Sequence, residues 1–286
     1  CGPILKDCDP LCMVHGSCQH VSNLYAEGDS SRVLNEECRV TDSSCATHCV
    51  CDSGFAGEAC EFSVEAFESA QSVRHLLLQA YEVLLASENP TPDVVTSWLE
   101  GLAGVAAHAG QLSEASKELL VSMCSSVLDV ASTLSMSYED VVQVERVLSL
   151  TLYGGASSSL DSALVLLDKY GLYLVGDLQV GQNPTVVVGP LYRLSVYSVD
   201  GLSSRELSVG RSALEVMTGA SSQSVTLPAS HGVETYKVLL TESFSTMQSD
   251  ASNKELFQSV PVSVYVNAPL CNRSAEVDDC VVSVEL

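Results

Sequence analysis

The spacing of apolar residues divides the chain into three stretches. From Phe62 to about Leu152, apolar residues recur every three to four positions, the period of amphipathic helices. After Gly171 the apolar runs shorten to strand length, and Val, Ser, Thr and Tyr predominate. The first stretch follows neither period and is rich in cysteine. The chain is therefore predicted to be multidomain α+β, with a disulfide-rich module (1–61), an antiparallel helical bundle (62–171) and a β-sandwich (172–286).

Capping signals predict five helices in the middle stretch. The first runs from Val64 to Ser87, is capped by Ser63 and ends before Asn89-Pro90. One side of this helix is expected to carry Phe67, Ala70, Leu77, Tyr81 and Leu84. The other four are expected from Thr91-Pro92 to Gly110, from Ser113 onward, from Ser137 to Gly154-Gly155, and from about Ser159 to Tyr170 with Gly171 as terminator.

Short apolar runs bounded by polar turns predict a series of strands in the last stretch. Asp200-Gly201, directly after one such run, is a strong hairpin signal. The predicted strands are Leu191–Val199, Thr185–Val188, Glu206–Val209, Ser224–Leu227, Thr235–Thr241, Val260–Val266 and Val281–Leu286.

The cysteines are concentrated near the start of the chain, where the segment Cys45 to Cys60 reads CATHCVCDSGFAGEAC. Cys49 and Cys51 point to opposite sides of an extended backbone and so require different partners. Zinc binding by Cys45, His48, Cys49 and Cys51 is the alternative, but structural zinc sites usually have two separate ligand pairs. Nine cysteines within the first sixty residues favour disulfides in a secreted protein.

The pattern C-x-C-x-x-G-F-x-G-x-x-C from Cys49 to Cys60 resembles the closing half of an EGF-like module, and Cys12 to Cys18 resembles its opening half. The pairing typical of that family implies bridges Cys8–Cys18, Cys12–Cys49 and Cys51–Cys60. The sequence departs from the family through an insertion that carries Cys38 and Cys45, which are expected to pair with each other.

Four cysteines lie outside these pairs. Cys271 and Cys280 flank a short acidic loop and are expected to form a local bridge. Cys1 and Cys124 are left unassigned. They pair with each other, or Cys1 pairs with a segment outside this chain and Cys124 is a buried free thiol on an apolar helix face.

Charge excludes several classes of partner. The chain has 13 lysines and arginines against 36 aspartates and glutamates, a formal charge of −23. Nucleic acids and anionic membrane surfaces both require clustered basic residues, so neither is expected as a partner. No apolar run approaches the roughly 20 residues of a membrane span. The chain begins on a cysteine without a signal peptide and is interpreted as a mature or excised piece of a longer protein.

Candidate chemistry is limited to weak cation ligands and sugars. Asp7, Asp9 and Asp52 are weak calcium candidates, although solvated surface acids are the preferred interpretation. No metal or other cofactor is expected. Asn272-Arg273-Ser274 is an acceptor for N-linked glycosylation, and serine-rich segments are candidates for O-linked glycans.

No catalytic constellation is recognised. Gly28-Asp29-Ser30 superficially resembles a hydrolase turn, but it lies in the disulfide-rich insertion without a parallel sheet to hold it. The six histidines are scattered, and none forms a metal pair at helical spacing. The protein is therefore predicted not to be an enzyme. A secreted hydrolase, the third hypothesis, requires a histidine within hydrogen-bond reach of a serine or cysteine and an acid.

Helices followed by a serine-rich β region, with segments such as SVTLPAS and SVPVSVYVNAPL, resemble the GAIN and REJ-type ectodomains of adhesion receptors and polycystin relatives. The self-cleavage motif of the GAIN family, a His-Leu-Thr or His-Leu-Ser step, is absent, and His75-Leu76-Leu77 lies in a predicted helix. EGF-like modules joined to acidic Ser/Val-rich domains also resemble mastigoneme and sexually induced cell-surface proteins of algae and other protists.

These resemblances imply a non-enzymatic extracellular structural glycoprotein. Its modules are expected to pack against other copies or related extracellular chains in a mastigoneme-type cell-surface filament. The alternative is an ectodomain fragment of an adhesion or polycystin-like receptor. A filament subunit is expected to expose strand edges or apolar patches that neighbouring chains can cover.

Overall fold

A computed structural model describes residues 4–22, 38–40, 45–153, 157–178, 182–189, 192–200, 205–211, 216–217, 224–227, 235–243 and 262–267. These residues form two compact units, one up to Leu166 and one from Leu167 onward. The disulfide-rich module and most of the helices therefore belong to the same unit. The chain as a whole is a mixed helix and strand protein with antiparallel sheets.

The disulfide-rich module is built on two short antiparallel strand pairs. A single-turn helix, α1 (Cys12–His15), leads into β1 (Gly16–Ser22), which pairs with β2 (Cys45–Cys51) so that Cys18 lies opposite Cys49. A second pair follows, β3 (Phe55–Ala56) with β4 (Phe62–Ser63). Gly54 and Gly57 adopt φ of +94° and +105°, a left-handed conformation that favours glycine and allows this second hairpin.

The helical region begins at α2 (Val64–Ser87), followed by α3 (Pro92–Ala106) and a 3₁₀ turn (Ala109–Gln111). It continues with α4 (Glu114–Thr133), α5 (Tyr138–Val141), α6 (Gln143–Tyr153) and α7 (Ser157–Asp177). The oxygens of Ser63, Thr91 and Ser113 cap the first turns of α2, α3 and α4. Packing centres on α3, which contacts α2, α4, α5 and α6.

Three predicted helix boundaries were wrong. The fourth predicted helix is divided at Val142 into α5 and α6, and Gly110 lies in the 3₁₀ turn after α3 has ended at Ala106. The fifth helix does not end at Gly171 but continues to Asp177. A Cβ on Gly171 would lie 2.6 Å from Cδ2 of Leu239. This glycine therefore serves close helix-to-sheet packing and does not terminate the helix.

The second unit contains a four-stranded antiparallel sheet in the order β10-β9-β6-β5. Its strands are β5 (Thr185–Val188), β6 (Tyr192–Asp200), β9 (Thr235–Ser243) and β10 (Val262–Asn267). A separate two-stranded pair joins β7 (Arg205–Ser208) to β8 (Ser224–Leu227). The predicted strand Val281–Leu286 lies outside the described residues.

The hairpin expected at Asp200-Gly201 is not formed between β6 and β7. Instead β6 pairs with β5 and β9, while β7 pairs with β8. The end of β7 reaches β6 through side chains: the Gly210 amide donates to Ser195 Oγ at 2.8 Å, and the Tyr197 hydroxyl donates to the Ser208 carbonyl. The β7–β8 pair thus contacts a face of β6 and does not extend its ladder. Among the described helices, none is both long and apolar enough to cross a membrane.

Candidate functional site

In the part of the first module that the structure describes, four disulfides are formed: Cys8–Cys18, Cys12–Cys49, Cys38–Cys45 and Cys51–Cys60. These are the pairs that the EGF-like resemblance and its insertion imply. The strand register explains the connections, since Cys49 and Cys51 on β2 direct their sulfurs to bridges with α1 and with the loop after β3. Such bridges persist in oxidising surroundings, which makes the chain extracellular.

The module has a small centre made mainly of sulfur. Cys12 and Cys60 are completely buried, and Cys49 Sγ lies 3.1 Å from Cys60 Sγ in the neighbouring bridge. Phe55 packs against this centre, and its ring stacks on His15 with centroids 3.7 Å apart. Among the described residues, Cys49, Cys51 and Cys60 are the only group of possible ligands close enough together to hold a metal ion. Because all three sulfurs are in disulfides, they cannot serve as zinc thiolates, and the nearby His48 is exposed.

The remaining candidate residues are not brought into a common site. Cys124 is a buried thiol outside any disulfide, and burial raises its pKa to about 12. Asp7, Asp9 and Asp52 do not form a cation-sized group. Asp9 is engaged locally, since its Oδ1 accepts from the Leu11 amide at 2.8 Å. Cys1, Gly28-Asp29-Ser30, Cys271, Asn272 and Cys280 lie outside the described residues.

The module is joined to the helical region without a linker. Ser63 is the last residue of β4 and also the cap of α2, and the Val64 amide donates to the Gly54 carbonyl at 3.1 Å. The ring of Phe62 on β4 lies against that of Phe67 on α2, with centroids 6.4 Å apart. Strand pairing and helix capping therefore share residues, which fixes the direction in which α2 leaves the module.

One face of α2 is attached to the rest of its unit along the whole helix. Nη2 of Arg74 donates to Gln111 Oε1 at 2.7 Å, and Nδ1 of His75 lies 3.0 Å from Ser116 Oγ. The Tyr81 hydroxyl occupies the space where Gly101 of α3 has no side chain. At the end of the helix, Trp98 Nε1 donates to Glu88 Oε2 at 2.7 Å. Leu78, on the same face, is completely buried.

A second face of α2 is apolar but uncovered. It lies roughly 120° around the helix from the attached face. We call it the α2 seam, and it consists of Ala66, Ser69, Val73, Leu76, Leu77, Ala80, Val83 and Leu84. The exposed fractions are 62% for Val73, 63% for Leu76 and 69% for Val83. Part of the seam borders a groove of about 370 Å³, lined by Ala66, Ser69, Ala70, Val73, Arg74 and Leu77.

The third face of α2 is polar and acidic. It carries Glu65, Glu68, Ser72, Gln79 and Glu82, all of which are exposed. The helix interior contains one arginine, Arg74, and its guanidinium is bound to Gln111 on the attached face. The polar edge of the α2 seam is therefore bordered by carboxylates, while the one arginine of the helix, Arg74, lines the groove at the other edge.

The side of α2 on which the sequence places Phe67, Ala70, Leu77, Tyr81 and Leu84 is only partly covered. Phe67, Ala70 and Tyr81 are half-buried, whereas Leu77 and Leu84 are 44% and 38% exposed. The missed signal is the width of the apolar arc: α2 carries large apolar side chains on two faces, more than one layer of neighbours can cover. A helix of that kind indicates a second packing surface.

His75 of α2 and Ser116 of α4 form a histidine–serine pair, with Nδ1 3.0 Å from Oγ. Besides Ser116, His75 contacts Gln79, whose Nε2 lies 3.1 Å from His75 Nε2. Ser116 is completely buried and also contacts Ser113 Oγ at 2.9 Å. A buried hydroxyl cannot reach a substrate, and the second histidine nitrogen faces an amide where a triad has an acid. The pair is a structural hydrogen-bonded contact between α2 and α4.

Comparison with known proteins gives little guidance. No protein-family model matches the chain, and no curated protein matches it either. One similar solved structure is the full extracellular region of zebrafish Gpr126/Adgrg6, at 14% identity and a TM-score of 0.45. The similarity covers 63% of this chain and 26% of that one, so this chain spans about a quarter of that protein's length. A likeness this weak carries no argument.

Proposed function

We propose that this chain is a non-enzymatic extracellular structural glycoprotein that assembles with copies of itself or with sister chains into a cell-surface filament of the mastigoneme type. The α2 seam is the observation that carries the proposal. A monomeric soluble protein seldom leaves a long apolar helix face open to water, because covering such a face is favourable. The seam is therefore a surface for protein contact.

The second unit offers an independent contact surface. The edge strand β5 pairs with β6 on one side only among the described strands. Its residues Val186 and Val188 are 42% and 38% exposed. Unprotected strand edges with apolar side chains readily accept a further strand. Both units thus present surfaces of the kind that an assembly subunit needs.

An adhesion or polycystin-type receptor ectodomain is the second candidate. The linker-free junction between the EGF-like module and α2 favours it, because a junction that shares strand and helix residues suits a rigid spacer. In that case the module would present its ligand-binding surface at a fixed direction. N-linked sugar at Asn272 is proposed for either candidate.

Electron microscopy of the native, unreduced protein tests the choice. A filament subunit is expected to give a regular axial repeat built from this chain, and mild reduction is expected to shorten or dissolve it. Dispersed single particles at all concentrations would contradict the filament and leave the receptor spacer. Labelling with a fluorophosphonate probe serves as the enzymatic control, and specific labelling of any serine would contradict the non-enzymatic proposal.

A further inference from the structure

We infer that the α2 seam binds an amphipathic helix of an unlike partner chain, one whose apolar stripe is flanked by lysine or arginine. This inference rests on the proposed function, since it names the partner of the same contact surface. Two separate observations support it: the spacing of the seam residues indicates a second helix, and the charge beside the seam indicates a basic partner.

The spacing of the seam fits another helix. Ala66, Val73 and Ala80 recur every seven residues, as do Ser69, Leu76 and Val83 three positions later. This is the a/d pattern over which two helices supercoil and interlock their side chains. The small residues Ala66, Ser69 and Ala80 allow a second backbone to approach closely, while Val73, Leu76 and Val83 supply apolar contact.

Charge selects the partner. Glu65, Glu68 and Glu82 are exposed on the face next to the seam, and the one arginine of the helix is engaged by Gln111. The whole chain carries a formal charge of −23. A second copy would bring like charges together at this surface, which opposes association. A helix with basic flanks would instead be attracted and oriented.

The size of the seam limits the strength of any contact that is made through the seam alone. The α2 seam from Ala66 to Leu84 spans about 28 Å, and a seam about 10 Å wide buries roughly 600 Å² in total. Stable dimers usually bury about 1,600 Å². The seam alone therefore buries less area than a stable dimer usually does, and charge complementarity or several linked contacts are needed for tight binding.

The test uses synthetic helical peptides and the native, disulfide-intact chain. The probe is a fluorescent 21-residue peptide with leucine at its a and d positions and lysine on one flank. One control peptide replaces the leucines by serine and keeps the lysines, and another replaces the lysines by glutamate and keeps the leucines. Binding is followed by fluorescence anisotropy at low and high salt.

The protein variants separate the contribution of apolar contacts to binding from the contribution of charge. Val73→Ser with Val83→Ser removes seam contacts, and Val165→Ser, at 65% exposure elsewhere in the same unit, is the matched control. Glu65→Gln, Glu68→Gln and Glu82→Gln together remove the flanking charge. Fluorescence of the buried Trp98 confirms that each variant is folded.

We expect micromolar binding of the basic leucine peptide and a loss of roughly tenfold in the Val73/Val83 variant, with the Val165 variant unchanged. The glutamate peptide and the Gln variant are expected to bind several-fold more weakly, and the difference should shrink with salt. Equal binding of the serine peptide, or equal loss in the Val165 variant, would overturn the inference.

Sedimentation velocity distinguishes this inference from the proposed function. If the chain dimerises through the seam, and the Val73/Val83 variant is monomeric, the unlike partner is wrong while assembly stands. If the peptide binds as expected but native material shows no assembly in the microscope, the filament is wrong while the partner class stands.

Discussion

The disulfide-rich module and most of the helical region lie in one compact unit but are stabilised by opposite means. Among the described residues of the module, four disulfides connect short strands, and five of the seven buried apolar side chains before Phe62 are cysteines. In the helical region, a leucine and valine core fills the space between α3, α4 and α6. A short segment cannot bury enough apolar surface to fold, so covalent links replace the missing core.

Removing one bridge from the module is expected to have the largest effect. Cys12→Ala with Cys49→Ala deletes a link between residues 37 apart, and the chain-entropy model gives a loss of about 4 kcal/mol. The module should unfold while α3 to α6 remain folded, because their core contains no bridge among the described residues. Limited proteolysis of the module, compared with Trp98 fluorescence, measures the two regions separately.

The bridge Cys38–Cys45 is the matched control, since it closes a separation of only 7 residues. The same model gives a loss of roughly 2 kcal/mol for Cys38→Ala with Cys45→Ala. If both double variants lose Trp98 fluorescence in step with proteolysis of the module, the two regions unfold as one. That result would end the contrast between them.

Shortening a core leucine is the corresponding test of the helical region. Leu99 of α3 is completely buried, and Leu99→Ala is expected to lower the free energy of unfolding by about 3 kcal/mol through lost contacts and a cavity. Leu76→Ala on the α2 seam makes the same chemical change at a side chain that is 63% exposed, and should stay within about 0.5 kcal/mol. Denaturant unfolding followed at Trp98 measures both.

A large loss for Leu76→Ala would mean that the seam is covered in the isolated protein. That outcome would contradict its role as a free contact surface. The comparison therefore tests the core and the proposed interface in one experiment.

Local signals in the sequence were sufficient for most elements of the fold. Caps at Ser63, Thr91 and Ser113 mark the starts of α2, α3 and α4, because a side-chain oxygen that bonds the first helical amides is a property of a few adjacent residues. The capping box at Ser137 is present as well, with Asp140 accepting from the Ser137 amide at 3.0 Å.

Features that depend on distant partners were not predictable in the same way. A glycine such as Gly171 is a common helix terminator, but here it allows α7 to pack closely on Leu239, which is far away in the sequence. Asp200-Gly201 is a residue pair typical of a hairpin turn, but β6 pairs with β5 and β9 and not with the next strand, β7. The α2 seam was missed for the same reason, since exposure depends on which neighbours the fold supplies.

Two glycines of α3 allow attached and free helix surfaces to be compared through smaller changes in stability. A Cβ on Gly101 would lie 2.2 Å from the Tyr81 hydroxyl of α2, whereas a Cβ on Gly104 would meet no atom within 4 Å. Gly101→Ala is expected to destabilise the protein by about 1 to 3 kcal/mol. Gly104→Ala is expected to stabilise it by about 1 kcal/mol through helix propensity.

Thermal unfolding of the two alanine variants, each compared with the unmodified chain, measures this difference in sign. In a Tyr81→Ala background the hydroxyl and the ring atoms that would lie 2.2 to 2.8 Å from the new Cβ are all gone, so the cost of Gly101→Ala should fall. An unchanged cost would show that Tyr81 does not pack on Gly101.

Cys124 behaves as a core residue and not as a crosslink, and its effect on stability is expected only at alkaline pH. It is completely buried in α4, and burial raises the pKa of its thiol from 9.0 to about 12. A group whose pKa is higher in the folded state contributes its stability fully below the unfolded pKa and loses it as the pH rises through the folded one. Stability should therefore fall by about 1.4 kcal/mol per pH unit from this thiol above pH 9.

Cys124→Ala removes the thiol and should remove that part of the alkaline slope, although the smaller side chain costs some stability at every pH. Denaturant unfolding of both proteins between pH 8 and 10.5, followed at Trp98, isolates the thiol from other titrating groups by subtraction. Identical slopes would mean that Cys124 is open to water in the folded protein. The disulfide-bonded cysteines of the module cannot contribute in this way, because a disulfide sulfur has no proton to lose. Cysteine thus stabilises the module through covalent bonds and the helical region as a protonated, apolar core residue.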